Sequence, residues 1–91
     1  MSLERFFDDL IKEHDEQHRK HGYLDNIDSP LDLLSILVEE VGEVAKECQD
    51  WRWGRVEDKD KFIKDISKEL VQVAAVSMAF YDYINKMKDV T

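Results

Sequence analysis

The sequence predicts an all-α protein, a bundle of three to four helices that forms a single domain over residues 1–91. Apolar residues recur at helical spacing in three segments, without the polar–apolar alternation that is typical of strands. One proline and three glycines are the strongest breaks in the chain. Apolar residues make up 43% of the sequence and charged residues 37%, which favours a folded chain over a disordered one.

The first predicted helix runs from about Leu3 to Lys20 and stops at Gly22, a residue type that often ends helices. Its second half is wholly polar. Its first half carries apolar residues at helical spacing, namely Phe6, Phe7, Leu10 and Ile11. A loop is predicted from Tyr23 to Asp28.

The second predicted helix begins at Ser29 and Pro30, because serine is a favourable N-cap and proline suits the first helical position. It should end between Gln49 and Gly54. One apolar stripe at a period of 3.6 residues comprises Leu34, Leu37, Val38, Val41, Val44, Ala45 and Cys48. This position predicts that Cys48 belongs to the core, and no second cysteine is present for an internal disulfide.

The third predicted helix starts between Glu57 and Lys59 and reaches about Met87. Its predicted inner face comprises Phe62, Ile63, Ile66, Leu70, Val73, Ser77 and Ile84. From Leu70 to Tyr81 the helix is apolar on nearly every side, a pattern typical of helices surrounded by protein. Two other helices scarcely enclose it, so the sequence predicts a homo-oligomer whose subunits complete the core.

The net charge and hydropathy of the chain exclude several classes of partner. The formal charge is −8 and the pI is about 4.7, so we expect no binding to duplex DNA or RNA. A phosphate-containing ligand would be repelled as well, unless a cation lay between it and the protein. The longest apolar stretch is too short to span a bilayer and no signal peptide is visible, so we expect no membrane partner and a cytoplasmic location.

Acidic residues line one side of each of the last two predicted helices. Residues at i, i+3 and i+7 stack along one side of a helix, where like charges repel each other. The two strips are Glu40, Glu43 and Glu47 on the second helix, and Asp65, Glu69 and Gln72 on the third. If the helices pack antiparallel, the strips can face each other and form a Mg²⁺ or Mn²⁺ site. A solvated acidic surface is the simpler interpretation of the spacing alone.

The segment Glu39-Glu40-Val41-Gly42-Glu43, with Glu69-Leu70-Val71-Gln72 further along, resembles the paired acidic motif of the MazG-like all-α nucleoside triphosphate pyrophosphohydrolases. Proteins of that family carry ExxE on one helix and ExxD on the next. They bind Mg²⁺ and hydrolyse an NTP or dNTP to the monophosphate and pyrophosphate. The resemblance therefore implies a helical NTP pyrophosphohydrolase that forms dimers or tetramers.

The resemblance assigns metal-binding and catalytic roles to three carboxylates. Glu40 and Glu43 match ExxE, and Glu69 matches the first position of ExxD. Gln72 occupies the place of the Asp and offers a neutral oxygen, which is a weaker Mg²⁺ ligand than a carboxylate. Glu39 is a further candidate, to hold a second ion or to orient the attacking water, and Asp65 is the alternative for that role.

The wider resemblance is to a small phage and bacterial branch of the family, in which Gln at this place is usual. It covers about residues 13–85. It depends on the segments Gln17 to Gly22, Leu34 to Glu43 and Lys68 to Val76.

Substrate contacts are predicted beyond the acidic helix. In the family an aromatic residue one or two turns past ExxE often stacks on the base, and Trp51 is the nearest match. Packing of Trp51 and Trp53 on the small core is the alternative. Lys64 and Lys68 are candidate phosphate contacts.

Two other interpretations stay open. The departure at Gln72 is compatible with a nucleotide-binding or helical interaction module that keeps the fold without catalysis. His14 and His18 lie four residues apart on a predicted helix, a spacing that suits zinc, although no further cluster of His or Cys completes such a site.

Overall fold

The computed structural model describes residues 3–21 and 28–89, and this part of the chain is helical and contains no strand. Helix α1 spans Leu3–His21, α2 spans Pro30–Arg52 and α3 spans Lys59–Lys86, followed by a short 3₁₀ turn at Met87–Asp89. The all-α prediction is confirmed, with three helices that pack together. The predicted stop at Gly22 and most of the predicted loop lie outside the described residues.

Helix α2 begins where the serine and proline predict it. Ser29 has an extended backbone with φ −156° and ψ 160°, and Pro30 is the first helical residue. The Asp32 carboxylate accepts hydrogen bonds from the backbone N–H groups of Asp28 and Ser29, at 3.0 and 3.2 Å. These bonds hold the incoming chain against the first turn and place negative charge at the positive end of the helix.

A short turn reverses the chain between α2 and α3. Gly54 has a φ of +72°, a left-handed conformation that glycine adopts without strain. The Arg55 side chain donates to the Asp50 carboxylate at 3.0 Å, which ties the turn back to α2. Asp58 caps α3, because its carboxylate accepts from the backbone N–H three residues further on, at 3.1 Å. The two helices therefore form an antiparallel hairpin.

Helix α3 is the centre of the fold. Both α1 and α2 pack against it, and within the described residues no Cα atom of α1 comes within 8 Å of α2. Among the described residues, the buried apolar side chains are few and mostly small; they are Leu10, Leu33, Ala75, Val76 and Ala79. The core thus consists of the contacts that α1 and α2 make on α3.

The apolar stripe predicted on α2 divides into a packed part and an exposed part. Leu37 and Val44 are half-buried, and the most buried residue of the helix is Leu33, outside the predicted stripe. The exposed members of the stripe are Leu34, Val38, Val41, Ala45 and Cys48. The prediction that Cys48 lies in the core is therefore wrong for the single chain. A single neighbouring helix covers only a narrow strip of α2, and the broad apolar surface extends beyond it.

The predicted inner face of α3 is also only partly correct. Phe62, Ile66 and Val73 are half-buried, whereas the most buried positions are Ala75, Val76 and Ala79. The exposed members of the predicted face are Ile63, Leu70, Ser77 and Ile84. Because α1 and α2 each contact α3, its buried surface differs from the single stripe that one neighbour would select.

Leu33 has 0% of its surface exposed, so the change Leu33→Ala should leave a cavity and lower the free energy of unfolding. We expect a loss of about 2–5 kcal/mol. The matched change at Leu3, which is 62% exposed, should cost less than about 0.5 kcal/mol. Urea unfolding followed by circular dichroism measures both values. Equal losses in the two variants would contradict the assignment of Leu33 to the core.

Candidate metal centre

The α2–α3 hairpin brings carboxylates of the two acidic strips close enough for charges on one helix to shift pKa values on the other. Burial raises the pKa of the Glu40 carboxyl above its ordinary value of 4.5, and the negative charge of Glu69 on α3 raises it further. The neighbouring charges of Glu39 and Glu43 act in the same direction. Glu40 is thus half-buried on the side of α2 that faces α3, among like charges.

The pKa of the Glu69 carboxyl, on α3, is also raised above its ordinary value. Burial raises it first, followed by the charges of Glu43 and Glu47 on α2. Lys68, the preceding residue, lowers it in part. Antiparallel packing therefore brings together Glu40, Glu43 and Glu69, the three carboxylates that the family resemblance implies, with Glu47 of the same predicted acidic strip.

Helix α1 supplies a fifth carboxylate, which the sequence analysis did not select. The charge of Glu13 also raises the pKa of Glu40. Gln17, which is 7% exposed, donates from Nε2 to Glu13 Oε1 at 3.1 Å and fixes that side chain. The spacing of Leu10, Glu13 and Gln17, at i, i+3 and i+7, places all three on one face of α1, a signal that puts Glu13 beside the buried Leu10 but does not relate it to the other carboxylates. We refer to Glu13, Glu40, Glu43, Glu47 and Glu69 as the acidic cluster.

Asp65 differs from the acidic cluster because it already has a cationic partner. Lys61 Nζ lies 2.7 Å from Asp65 Oδ2, one turn earlier on α3. That hydrogen bond lowers the pKa of Asp65, and the charges of Lys64 and Lys68 contribute to the shift. Asp65 is therefore the less suitable of the two candidates for a second ion, and Glu39, which is exposed beside Glu40, is the more suitable one.

The carboxylates are near one another without forming a closed ligand set. Among residues 3–21 and 28–89, no group of three His, Cys, Asp or Glu side chains has the geometry to hold a metal ion. Gln72 is half-buried, and none of the described hydrogen bonds involves its amide. Hard oxygen donors of this kind suit Mg²⁺ chemically. Like-charge repulsion opposes a closer approach of these carboxylates, and a bound cation would offset it.

The predicted phosphate contacts, Lys64 and Lys68, line an open groove of about 1050 Å³ between α1 and α3. Glu13 of the acidic cluster lines the same groove. Lys68 also acts on Glu69, so the groove adjoins the cluster. A ligand that reached the carboxylates from this side would pass both lysines.

Trp51 lies at the end of the hairpin where α2 finishes. Its ring stacks on Phe62 of α3, with ring centroids 4.8 Å apart and planes inclined by 17°. The indole is still 37% exposed. Trp53 is more exposed, and the Arg52 guanidinium lies 5.5 Å from its ring centroid. One face of Trp51 thus contributes to packing, which agrees with the core interpretation, while part of the ring remains open to solvent.

Of the histidine pair predicted on α1, the His18 side chain lies outside the described residues.

In comparisons with protein-family models, curated proteins and solved structures, the chain has no significant match. In the described part of the chain, no helix is long and apolar enough to cross a membrane.

The raised pKa values of Glu40 and Glu69 predict how stability depends on pH without metal. Below the ordinary pKa of 4.5 both groups are protonated in the folded and in the unfolded chain, so neither of them lowers the free energy of unfolding. As the pH rises through the raised pKa values, ionisation is harder in the folded chain, so the free energy of unfolding falls. Stability from these two groups is therefore lower at neutral pH than in mild acid.

The change Glu40→Gln removes one of these charges and should stabilise the metal-free protein at neutral pH. We expect about 0.2–0.5 kcal/mol for each like-charge pair that is relieved. The gain should vanish well below the ordinary glutamate pKa. Thermal melts at both pH values measure it, with Glu57→Gln, at an exposed position between the helices, as the matched control. A destabilised Glu40→Gln protein at neutral pH would argue against repulsion in the acidic cluster.

Proposed function

We propose that this chain is a Mg²⁺-dependent nucleoside triphosphate pyrophosphohydrolase with a MazG-like helical fold. The observation that carries the proposal is that the charge of Glu69 on α3 raises the pKa of Glu40 on α2, while the charge of Glu43 on α2 raises the pKa of Glu69. These are the residues that the resemblance assigns to metal binding. A cytoplasmic setting and assembly into dimers or tetramers are part of the same proposal.

The charge of the site favours a substrate that arrives with a cation. The chain carries a formal charge of −8, and burial and neighbouring carboxylates raise the pKa values of Glu40 and Glu69. A divalent cation would relieve that repulsion, and Mg²⁺ or Mn²⁺ would suit the carboxylate oxygens. A triphosphate carries the complementary negative charge for the open side of such an ion.

In the proposed mechanism Glu40, Glu43 and Glu69 would hold Mg²⁺, and Gln72 would supply a neutral oxygen beside them. The ion would neutralise the triphosphate and stabilise the charge that develops during reaction. Glu39, exposed next to Glu40, would orient the water that attacks phosphorus, a role for which Asp65 is less suited because it is paired with Lys61. One water is consumed, and the products are the monophosphate and pyrophosphate.

Two further contacts would position the nucleotide. The open part of the Trp51 ring offers a stacking surface for the base, supported from behind by Phe62. Lys64 and Lys68 would contact the phosphates from the groove between α1 and α3. A base-stacking tryptophan and phosphate-binding lysines add affinity without taking part in the chemical step.

The direct test measures pyrophosphate release from a panel of NTPs and dNTPs with Mg²⁺. We expect turnover by the unmodified protein, and a loss of at least about 100-fold in Glu43→Gln. Mg²⁺ should also raise the melting temperature by mass action, and Glu43→Gln should remove most of that gain. Glu57→Gln should behave like the unmodified protein in both assays.

The outcomes separate the possible functions. A protein that binds nucleotide and Mg²⁺ but releases no pyrophosphate is the non-catalytic binding module. If neither Mg²⁺ nor Mn²⁺ changes the melting temperature, with or without nucleotide, the acidic cluster holds no metal centre.

Gln72 gives a second test of the metal centre. The change Gln72→Asp replaces a neutral oxygen with a charged one, so it should tighten Mg²⁺ binding and raise the rate of hydrolysis. Titration with Mg²⁺, followed by melting temperature and by pyrophosphate release, measures both effects. Gln72→Glu is the matched control for side-chain length. If Gln72→Asp only lowers stability, the metal centre is built without this residue.

A further inference from the structure

Helix α2 carries an exposed apolar stripe that α3 does not cover. Its residues are spaced three and four apart in strict alternation: Leu31, Leu34, Val38, Val41, Ala45 and Cys48. All six are exposed; Leu31 is exposed to 67% and Val38 to 62%. This 3–4 spacing is the pattern by which one helix packs along another. We call these six residues the α2 seam.

The positions that flank the α2 seam are uncharged. Ser35, Gly42 and Gln49 lie on one side of it, and Leu37 and Val44 on the other. The charged residues of α2 between positions 31 and 49 all lie elsewhere on the helix. An exposed helix of a protein with 37% charged residues would ordinarily carry charge on such a surface. The absence of charge therefore indicates a surface that is covered.

Gly42 supports the same conclusion independently. A glycine inside a helix costs about 1 kcal/mol relative to alanine. Yet a Cβ atom added to Gly42 would meet nothing within 4 Å, so packing within the chain does not require a glycine there. Its place beside the α2 seam leaves room for the backbone of another helix to approach closely.

The side chains of the α2 seam decrease in size along the helix, from two leucines through two valines to alanine and cysteine. A second α2 in the parallel direction would pair leucine with leucine at one end and cysteine with cysteine at the other. An antiparallel copy instead pairs Leu31 with Cys48, Leu34 with Ala45 and Val38 with Val41. Each layer then has a similar volume, which is what close packing requires. The α2 seam is complementary to itself.

The chain also exposes more surface than a folded monomer of its mass is expected to expose. A folded monomer of this mass is expected to expose about 5,500 Å². The chain exposes 7034 Å², an excess larger than the roughly 800 Å² that each partner buries in a standard interface. An excess of this size is compatible with a covered surface as large as one side of a standard interface.

We propose that α2 pairs with α2 of a second copy, antiparallel, about a two-fold axis that passes between Val38 and Val41. The pairing is isologous, because both copies use the same surface. It leaves Glu40 and Glu47 directed toward α3 in each copy. The inference specifies a surface for the self-association that the proposed function includes, but it does not depend on hydrolysis.

Light scattering tests the proposal. We expect the unmodified protein to have twice the mass of its 10.8 kDa chain at micromolar concentration. Val38→Lys should shift it to the mass of one chain, while Tyr81→Lys, a matched change at an exposed position on α3, should leave the dimer intact. A single-chain mass for the unmodified protein, or dissociation by Tyr81→Lys and not by Val38→Lys, would overturn the proposal.

Cross-linking gives a second readout that does not need a dissociated variant to fold. With copper phenanthroline as the oxidant, Leu31→Cys should form a disulfide with Cys48 of the other copy and yield a covalent dimer. Lys46→Cys, on the same helix but outside the α2 seam, should not. Efficient cross-linking of the unmodified protein through its own Cys48 would show a parallel pair and reject the antiparallel arrangement. A dimer without pyrophosphate release would refute only the proposed enzyme.

Discussion

The packing of α1 and α2 on the same helix controls the rest of the structure. The small residues Ala75 and Ala79 are buried on α3, so neighbouring helices can approach it closely. On α2, Leu33 is the deepest residue, and Glu40 and Glu47 follow it at seven-residue intervals along the same side. The rotation that buries one leucine therefore also turns two carboxylates toward α3. A core contact and a charged site are consequences of a single helix orientation.

This coupling explains why the acidic cluster persists despite its repulsion. Moving Glu40 into solvent would require α2 to rotate, and the rotation would expose Leu33 to water. Complete burial of a leucine contributes about 1.5–3 kcal/mol, whereas like-charge pairs on a helix cost a few tenths each. The hydrophobic contact is therefore the stronger effect, and the carboxylates stay close together. Carboxylates with raised pKa values occur more often at functional sites than elsewhere on a protein.

The helix ends followed from local chemistry, so they could be predicted from sequence. Ser29 and Pro30 start α2, and Asp58 caps α3, within the predicted limits. The buried side of α2 could not be predicted, because its apolar surface is wide enough for a second neighbour and periodicity alone does not rank Leu33 above Leu34. Glu13 could not be predicted, because it begins the wholly polar second half of α1 and no other carboxylate of the acidic cluster lies on that helix. Its contribution to the cluster depends on how α1 lies on α3, which is a tertiary property.

The turn at Gly54 also has a consequence for how the chain folds. It joins α2 and α3 through six residues, so the contacts nearest the turn form between positions that are close in sequence, and the rest of the hairpin can close from there. Closing a short loop has a smaller entropic cost than closing a long one. Four of the five carboxylates of the acidic cluster belong to this hairpin. We therefore expect that the hairpin assembles before α1 docks, and that Glu13 joins the cluster in the last step of folding.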